Sequence, residues 1–292
     1  MEAAAATLVT GLVLGGMYAL VAIGLTLQYG VARIMNLAYG EFVVAAAFAA
    51  LWLFTSLGVS PLIGLALVMP LAFLANWAIY RIFLTPLVRR APNAGALETD
   101  SILATFGLLF VVQGVMLALF GGAYQSYSYL SIPVDILGTT ITANRLVALG
   151  FAAVIGGGLW FLLTHTRTGT AVRAVAVNPA AAPLVGIDMS RTAALAFAAG
   201  GAVVASGGVL VSTFLTFNAA MGVVFTMKAL VVVIMGGVGN LMGCLVAGLL
   251  LGLTETLVAT FVDPGLTLAA TYGLFLAILI ARPAGLFGVA AR

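Results

Sequence analysis

Three ionisable side chains lie within long apolar stretches of this 292-residue chain: Glu41, Lys228 and Glu255. A charged group inside a lipid bilayer is costly, and where it occurs it commonly marks a transport path or a charge pair. Lys228 and Glu255 fall near the same ends of neighbouring apolar stretches, so they are candidates for an intramembrane ion pair. The alternative is that these side chains extend to the membrane surface and remain unpaired.

Residues that would support enzymatic chemistry do not occur in a workable arrangement. The chain has no G-x-x-x-x-G-K-[ST] sequence, so it cannot hold ATP phosphates in a Walker-type loop. An intramembrane protease needs a serine and a base within hydrogen-bonding reach. Ser206 lacks the G-x-S-G context, and the only histidine, His165, is expected at a different depth. The sequence therefore predicts no enzyme, with no catalytic, metal-binding or cofactor-binding residue in this chain.

The composition indicates a protein that faces lipid. Hydrophobic residues make up 64% of the chain and charged residues 7%, with a mean hydropathy of +1.26. A soluble domain carries about 25% charged residues, and a soluble helical bundle would need a polar face that this sequence lacks. We therefore predict an all-α, polytopic integral membrane protein with a single transmembrane domain over residues 1–292.

Apolar runs of about 17 to 25 residues, each long enough to cross a bilayer as a helix, recur along the chain. They predict about eight transmembrane helices, within a range of seven to nine. The seventh run is short and ends in a glycine-rich break, so a half-helix or re-entrant segment is expected there. The predicted spans cover residues 7–28, 42–57, 61–83, 101–121, 146–164, 192–216, 224–236, 241–262 and 265–281.

Arginines outside the spans predict the orientation of the chain. They cluster in the loops 84–100 and 165–191 and at the C-terminus, as Arg282 and Arg292, whereas the loop 122–143 contains no lysine or arginine. Basic loops of membrane proteins face the cytoplasm. Placing all three clusters there requires an even number of crossings between them, which the spans allow. The N-terminus is then outside and the C-terminus in the cytoplasm, in a multi-pass protein of the cell (inner) membrane.

Two breaks in the apolar pattern are candidates for a translocation path. The ends of broken helices line substrate sites in membrane transporters. An alternative of equal weight is structural, with Asn36 capping the second helix and Glu41 favouring its positive N-terminal end. The candidate path residues are Asn36, Tyr39, Gly40 and Glu41 in the first break, and Gly236, Gly237 and Gly239 in the second.

Residues 165–191, which we name the coupling segment, interrupt the apolar chain with a basic, proline-broken stretch. Small apolar residues surround Arg173, Asn178-Pro179 breaks the run, and a second short amphipathic turn follows before Gly186. Connections between helices are usually short and polar, whereas this one carries alanine, valine and leucine on one side of a short helix. Such a face suits docking into a groove on a partner protein. The alternative is a helix that lies on the membrane interface.

The sequence resembles the permease subunits of branched-chain amino-acid ABC importers, specifically the shorter of the two permease types. The stretches that carry the resemblance span nearly the whole chain in order: residues 16–20, 24–27, 29–30, 36–42, 173–176, 178–182, 186–187, 228–229, 236–240 and 282–288, with Gly243, Gly248 and Gly252.

This resemblance implies that the coupling segment seats in a cleft of a cytoplasmic ATPase, with Arg173, Asn178, Ala181 and Gly186 as contact residues. It also implies a pair of permease subunits, identical or different, and two ATPase subunits that bind the ATP. An extracytoplasmic binding protein would deliver a small amino acid.

The sequence departs from this family at Tyr39, where a histidine is more frequent, so a titratable group is lost. Related permeases of the same superfamily carry amides or urea, and the residues do not distinguish these solutes from a branched-chain amino acid. An alternative of a different class is a self-sufficient channel or secondary transporter, which would move its solute without an ATPase.

Overall fold

In the computed structural model, which describes residues 2–136 and 139–288, the chain is built almost entirely from helices. A π-helical turn (Tyr80–Leu84) joins the helix that ends at Ile79 to the helix that begins at Thr85. Short 3-10 turns (Ala182–Val185 and Pro264–Leu266) precede the helices that begin at Met189 and Thr267. The α-helices of the described residues are α1 (Glu2–Ala32), α2 (Tyr39–Leu57), α3 (Pro61–Ile79), α4 (Thr85–Arg90), α5 (Ala94–Phe120), α6 (Ala143–His165), α7 (Arg167–Val177), α8 (Met189–Ser212), α9 (Gly222–Gly236), α10 (Leu241–Phe261) and α11 (Thr267–Ala281).

The helix lengths confirm the prediction of an all-α, polytopic membrane protein with one short segment. Among the described residues, eight helical segments are long and apolar enough to cross a membrane, and the 15-residue α9 is the shorter apolar helix. At 1.5 Å per residue α9 is about 22 Å long, against a hydrocarbon core of about 30 Å. The chain therefore contains a helix that does not cover the full membrane thickness.

A two-stranded hairpin marks one side of the helical bundle. β1 (Pro133–Ile136) pairs antiparallel with β2 (Thr139–Thr142) between α5 and α6, and Gln125 pairs with Phe217 beside it. The sequence did not predict this hairpin, because strands of four residues are too short to produce a clear alternating pattern. We name this the hairpin side and the opposite face, which carries the coupling segment, the coupling side.

The predicted loop 84–100 is wrong. The helix that contains α3 continues through the π-helical turn and α4 to Arg90, and α5 begins at Ala94, so residues 91–93 alone connect them. Asn93 caps α5 by accepting a hydrogen bond from the amide of Ala96 (2.8 Å). Charged residues mark where the hydrocarbon ends, but a helical backbone that satisfies its own hydrogen bonds can continue into the polar interface.

The arginine clusters that the structure describes share the coupling side. Tyr29, in the last turns of α1, donates a hydrogen bond to Glu98 near the start of α5 (3.0 Å), so the connection after Arg90 lies beside the end of α1. Arg282 lies beside the last turn of α9, because Leu286 donates to the carbonyl of Met235 (2.7 Å). Arg292 lies outside the described residues. Which side faces the cytoplasm stays a prediction.

The core forms around α1 and α8, and α8 is buried along most of its length. Small residues allow the backbones to approach closely, as is common for helices packed in lipid. A Cβ added at Gly252 of α10 would overlap the backbone of Gly15 in α1, and one added at Gly248 would crowd Ala19. Helices α1 and α10 are therefore held together by backbone contact through glycine.

Candidate functional site

The first turn of α2 begins beside the middle of α1. Residues 33–38 return along α1 before α2 starts at Tyr39, and the Tyr39 hydroxyl donates to the carbonyl of Val21 (2.8 Å). Val21 lies 11 residues before Ala32, the end of α1, which corresponds to about 16 Å along the helix. Helix α2 therefore begins deep in the bundle, with its N-terminus buried among other helices.

Asn36 stabilises this return of the chain. Its amide nitrogen donates to Gln28 Oε1 (3.1 Å), and its Oδ1 accepts from the backbone amide of Ala38 (3.1 Å). Gln28 in turn donates to the carbonyl of Phe197 on α8 (2.9 Å). The N-cap of α2 is Ala38, without a side-chain cap, so the interpretation of Asn36 as the helix cap is wrong. Asn36 instead fixes the residues that precede the cap.

The start of α2 meets the start of α9. The amide of Gly40 donates to Thr226 Oγ1 (2.8 Å), and the Thr226 hydroxyl donates to the carbonyl of Leu37 (3.1 Å). A Cβ added at Gly40 would overlap the carbonyl oxygen of Gly222, the first residue of α9. The N-termini of α2 and α9 therefore touch backbone to backbone. The sequence analysis missed Gly222 and Thr226, whose signal was a glycine and a threonine four residues apart in an apolar run.

Glu41 is enclosed at this junction. Its side chain is fully buried, and neither carboxylate oxygen has a hydrogen-bond partner among the described residues. A Cβ added at Gly222 would overlap the carboxyl group, so α9 begins directly against it. The positive ends of α2 and α9 both lie beside this group, which favours an anion there. A buried carboxyl without direct partners is costly, so Glu41 is the strongest functional candidate of the first break.

The second break lies at the other end of α9. Gly236 contacts the backbone of Gly243, and Gly237 adopts a positive φ of 99° where it touches Gly288. The amide of Phe287 donates to the carbonyl of Gly236 (3.2 Å). Gly236 and Gly237 are buried, whereas Gly239 is exposed on the coupling side. These glycines form a packed junction about 21 Å along α9 from Gly222, so the two predicted breaks do not form one cluster.

The structure brings Lys228 and Glu255 together. Lys228 Nζ lies 2.8 Å from Glu255 Oε2, and their side chains are 17% and 7% exposed. Tyr18 donates to the same carboxylate oxygen (2.8 Å), and Thr271 donates to Oε1 (2.5 Å). Glu255 thus links α1, α9, α10 and α11. Neither side chain extends to the membrane surface, because the partners of each lie within the bundle.

The coupling segment forms the two short helical pieces that its sequence predicts, α7 and the 3-10 turn. Thr166 caps α7 by accepting from the amide of Gly169 (3.0 Å), and Gly169 packs against the backbone of Leu162 and Leu163 on α6. Val175 is buried against the bundle. One face of α7 is therefore attached to the membrane helices, which holds the remainder of the segment at the surface.

The predicted contact residues of the coupling segment differ in what they do. Asn178 Oδ1 accepts from the amide of Ala181 (3.1 Å), and Gly186 has a positive φ of 79° that ends the 3-10 turn. Both residues shape the turn. Arg173 is exposed and donates to the carbonyl of Thr164 (3.3 Å). The most exposed apolar side chains of the coupling segment, which are not among these four predicted contact residues, are Val177 (84%), Leu184 (86%) and Val185 (74%).

Two buried helix N-termini that meet around a carboxyl group, within a bundle of membrane-spanning helices, are typical of a membrane protein of the transporter class. Residues 7–282 match the family described as branched-chain amino acid transport system / permease component, and the chain belongs to this family.

Individual relatives match over nearly their full length. The chain is 28% identical to the high-affinity branched-chain amino acid transport system permease protein BraD of Pseudomonas aeruginosa, over 96% of this chain and 94% of that protein. It is 30% identical to the permease protein LivH of the corresponding system in Salmonella typhimurium, over 95% and 93%. LivH of Escherichia coli is 29% identical over the same shares. No solved structure matches the chain.

Proposed function

We propose that this chain is the membrane-spanning permease subunit of an ATP-binding cassette importer that carries branched-chain or similarly small amino acids across the inner membrane. The names of BraD and LivH support the solute class. The chain binds no cofactor and catalyses no reaction, and ATP is hydrolysed on partner subunits. The N-terminus faces outside and the coupling side faces the cytoplasm.

The observation that carries this proposal is the exposed apolar turn of the coupling segment. Val177, Leu184 and Val185 lie on a segment anchored through Gly169 and Val175, so they are presented at a fixed position. Burying one such side chain in a partner groove contributes about 1.5–3 kcal/mol. These apolar side chains dock into a cleft on a cytoplasmic ATPase, and Arg173 contributes a positive charge beside them. ATP binding then moves the coupling segment relative to α6 and α8.

The path for the solute passes the junction of α2 and α9. Tyr39 fixes α2 against α1, and Gly40 and Glu41 pack against Gly222 in a closed arrangement, so opening requires the N-termini of α2 and α9 to separate. The ammonium group of an amino acid would meet the Glu41 carboxyl as they separate. Movement of the coupling segment reaches this junction through α8, which packs against α1 and α2.

The test of the coupling segment is Leu184→Asp in the chain purified with its accompanying subunits. Placing a charge in an apolar cleft should lower the amount of co-purified ATPase at least about tenfold and abolish ATP-driven uptake. The matched control is Thr168→Asp, on the exposed first turn of α7, where an acidic residue is favourable. Normal ATPase recovery and uptake with Leu184→Asp would refute the docking of this segment.

The alternative function is tested with the same preparation. An importer of this class should show no solute uptake when the chain alone is placed in liposomes, and should require the ATPase and ATP. Mass spectrometry of the purified complex identifies the second permease chain and the extracytoplasmic binding protein. Uptake by the chain alone, without ATP, would assign it to the channels or secondary transporters.

A further inference from the structure

A polar cavity opens on the hairpin side, outside the candidate path. It has a volume of about 360 Å³ and lies between residues 126–131, the start of α6 and the end of α8. Eight of its twelve lining residues carry a hydroxyl group, among them Ser128, Ser131 and Thr142. This composition is unusual in a chain that is 64% hydrophobic. The cavity is therefore suited to a small polar solute, at the lower end of the usual range of about 300–1,000 Å³ for ligand pockets.

Hydrogen bonds between separate segments hold the walls of this cavity. Tyr127 and Ser212 share a hydrogen bond (2.8 Å), and Asn144 donates to the carbonyl of Thr213 (2.8 Å). The backbone amide of Asn144 donates to the carbonyl of Leu130 (3.1 Å). Burial raises the pKa of the Tyr127 phenol, so it remains a neutral hydroxyl. Asn144 Oδ1 is a buried acceptor without a donor among the described residues.

The cavity has one charged lining residue, Arg145. The side chain is half-buried and donates a hydrogen bond to Thr10 Oγ1 (3.4 Å). Within the described residues no carboxylate forms an ion pair with Arg145, and Asp135 Oδ1 accepts a hydrogen bond from the Thr140 hydroxyl instead (2.8 Å). Arg145 is also in the first turn of α6, where the helix end is positive. The cavity therefore offers an uncompensated cation surrounded by hydroxyl groups.

We propose that this cavity is an outer binding site for the transported amino acid, in which the Arg145 guanidinium binds the carboxylate of the solute. A guanidinium recognises a carboxylate through two parallel hydrogen bonds. The ammonium group supplies donors for the hydroxyl oxygens and Asn144 Oδ1. The solute class and the outward orientation of the cavity rest on the proposed function, whereas the preference of the site for a carboxylate rests on Arg145 and the cavity lining.

The test uses thiol protection in the complete complex in nanodiscs. Cys244, the only cysteine, is buried, so Ser128→Cys supplies one accessible thiol on the cavity wall. The rate of its reaction with a membrane-impermeant maleimide is measured with leucine, with 4-methylpentanoate, which lacks the ammonium group, and with 3-methylbutylamine, which lacks the carboxylate. Leucine and 4-methylpentanoate should slow labelling, whereas 3-methylbutylamine should not.

Variants in the Ser128→Cys background test the role of Arg145. Arg145→Gln should raise the leucine concentration for half-protection about tenfold or more, the effect of losing a charged hydrogen-bond partner, and Arg145→Lys should give an intermediate value. Tyr124→Phe, which removes an exposed hydroxyl outside the cavity lining, is the matched control and should leave protection unchanged. An unchanged labelling rate without solute shows that each variant keeps the cavity.

Three other outcomes would overturn the proposal, and a fourth would overturn the proposed function instead. Equal protection by all three solutes would show that the cavity does not recognise a carboxylate. Protection that depends on anionic lipid in the nanodisc, without an effect of leucine, would assign Arg145 to a lipid phosphate. Absence of protection in a complex that imports leucine normally would refute the outer site and leave the proposed function intact. Protection by leucine without any ATP-driven import would refute the proposed function and leave the outer site intact.

Discussion

Replacement of Glu255 by glutamine should separate the charge of the buried pair from its hydrogen bonds. Glutamine keeps the shape of the side chain, and its single carbonyl oxygen can accept from either Tyr18 or Thr271 while its NH2 group can donate to the other hydroxyl. It leaves Lys228 as a largely buried cation. Removing one partner of a buried ion pair costs about 3–5 kcal/mol. The lysine side chain is 17% exposed, so we expect the lower end, a loss of about 3 kcal/mol in the free energy of unfolding.

Two further variants determine whether charge is the cause. Thr271→Val removes the hydrogen bond to the Glu255 carboxylate without removing a charge, and side-chain hydrogen bonds in a membrane protein are worth about 0.6–1.7 kcal/mol. The double variant Lys228→Met/Glu255→Gln removes both charges and should lie within about 1 kcal/mol of the unmodified chain. Unfolding is followed by circular dichroism during titration with SDS. A double variant as unstable as Glu255→Gln alone, or a single variant that loses under about 1 kcal/mol, would refute the reasoning.

Three other substitutions test the two breaks, at the start of α2 and at the end of α9. Gly40→Ala should lower the free energy of unfolding by about 1–3 kcal/mol, because it forces α2 away from α9. Gly107→Ala, at an open position on α5, should be neutral or slightly stabilising. Equal melting temperatures for the two variants would contradict this prediction. Glu41→Gln should raise the free energy of unfolding by about 1 kcal/mol while lowering ATP-driven uptake at least about tenfold, and normal uptake would remove Glu41 from the path. Gly237→Ala should lower the free energy of unfolding by about 1–3 kcal/mol because of the positive φ at this position. Gly158→Ala on α6 is the neutral control in the same thermal denaturation.

The sequence located most of the candidate residues but not their neighbours. Glu41 was identified because a carboxyl group in an apolar run is rare, and this needs no tertiary information. Its contact with Gly222 could not be predicted, because it depends on how far residues 33–38 return along α1. The glycines at 236–239 were grouped with the path by composition alone. In the structure they form a junction of α9, α10 and residues 285–288 instead.

The outer cavity shows the same limit more clearly. Its lining comes from residues 126–131, from the start of α6 at Asn144 and Arg145, and from the end of α8. In the sequence these are scattered serines, threonines and one arginine at the edges of apolar runs. They become a site only when the hairpin brings the three segments together.

The sequence by itself determined that this chain spans a membrane as helices, because the transfer of apolar side chains and of backbone polar groups into lipid depends on local composition. It also determined the two helical pieces of the coupling segment, whose breaks at Asn178-Pro179 and Gly186 are local. The tertiary structure decided the depth of α2, the meeting of α2 with α9 and the pairing of Lys228 with Glu255. These features depend on how closely two backbones approach, which glycine permits but hydropathy along one chain does not specify.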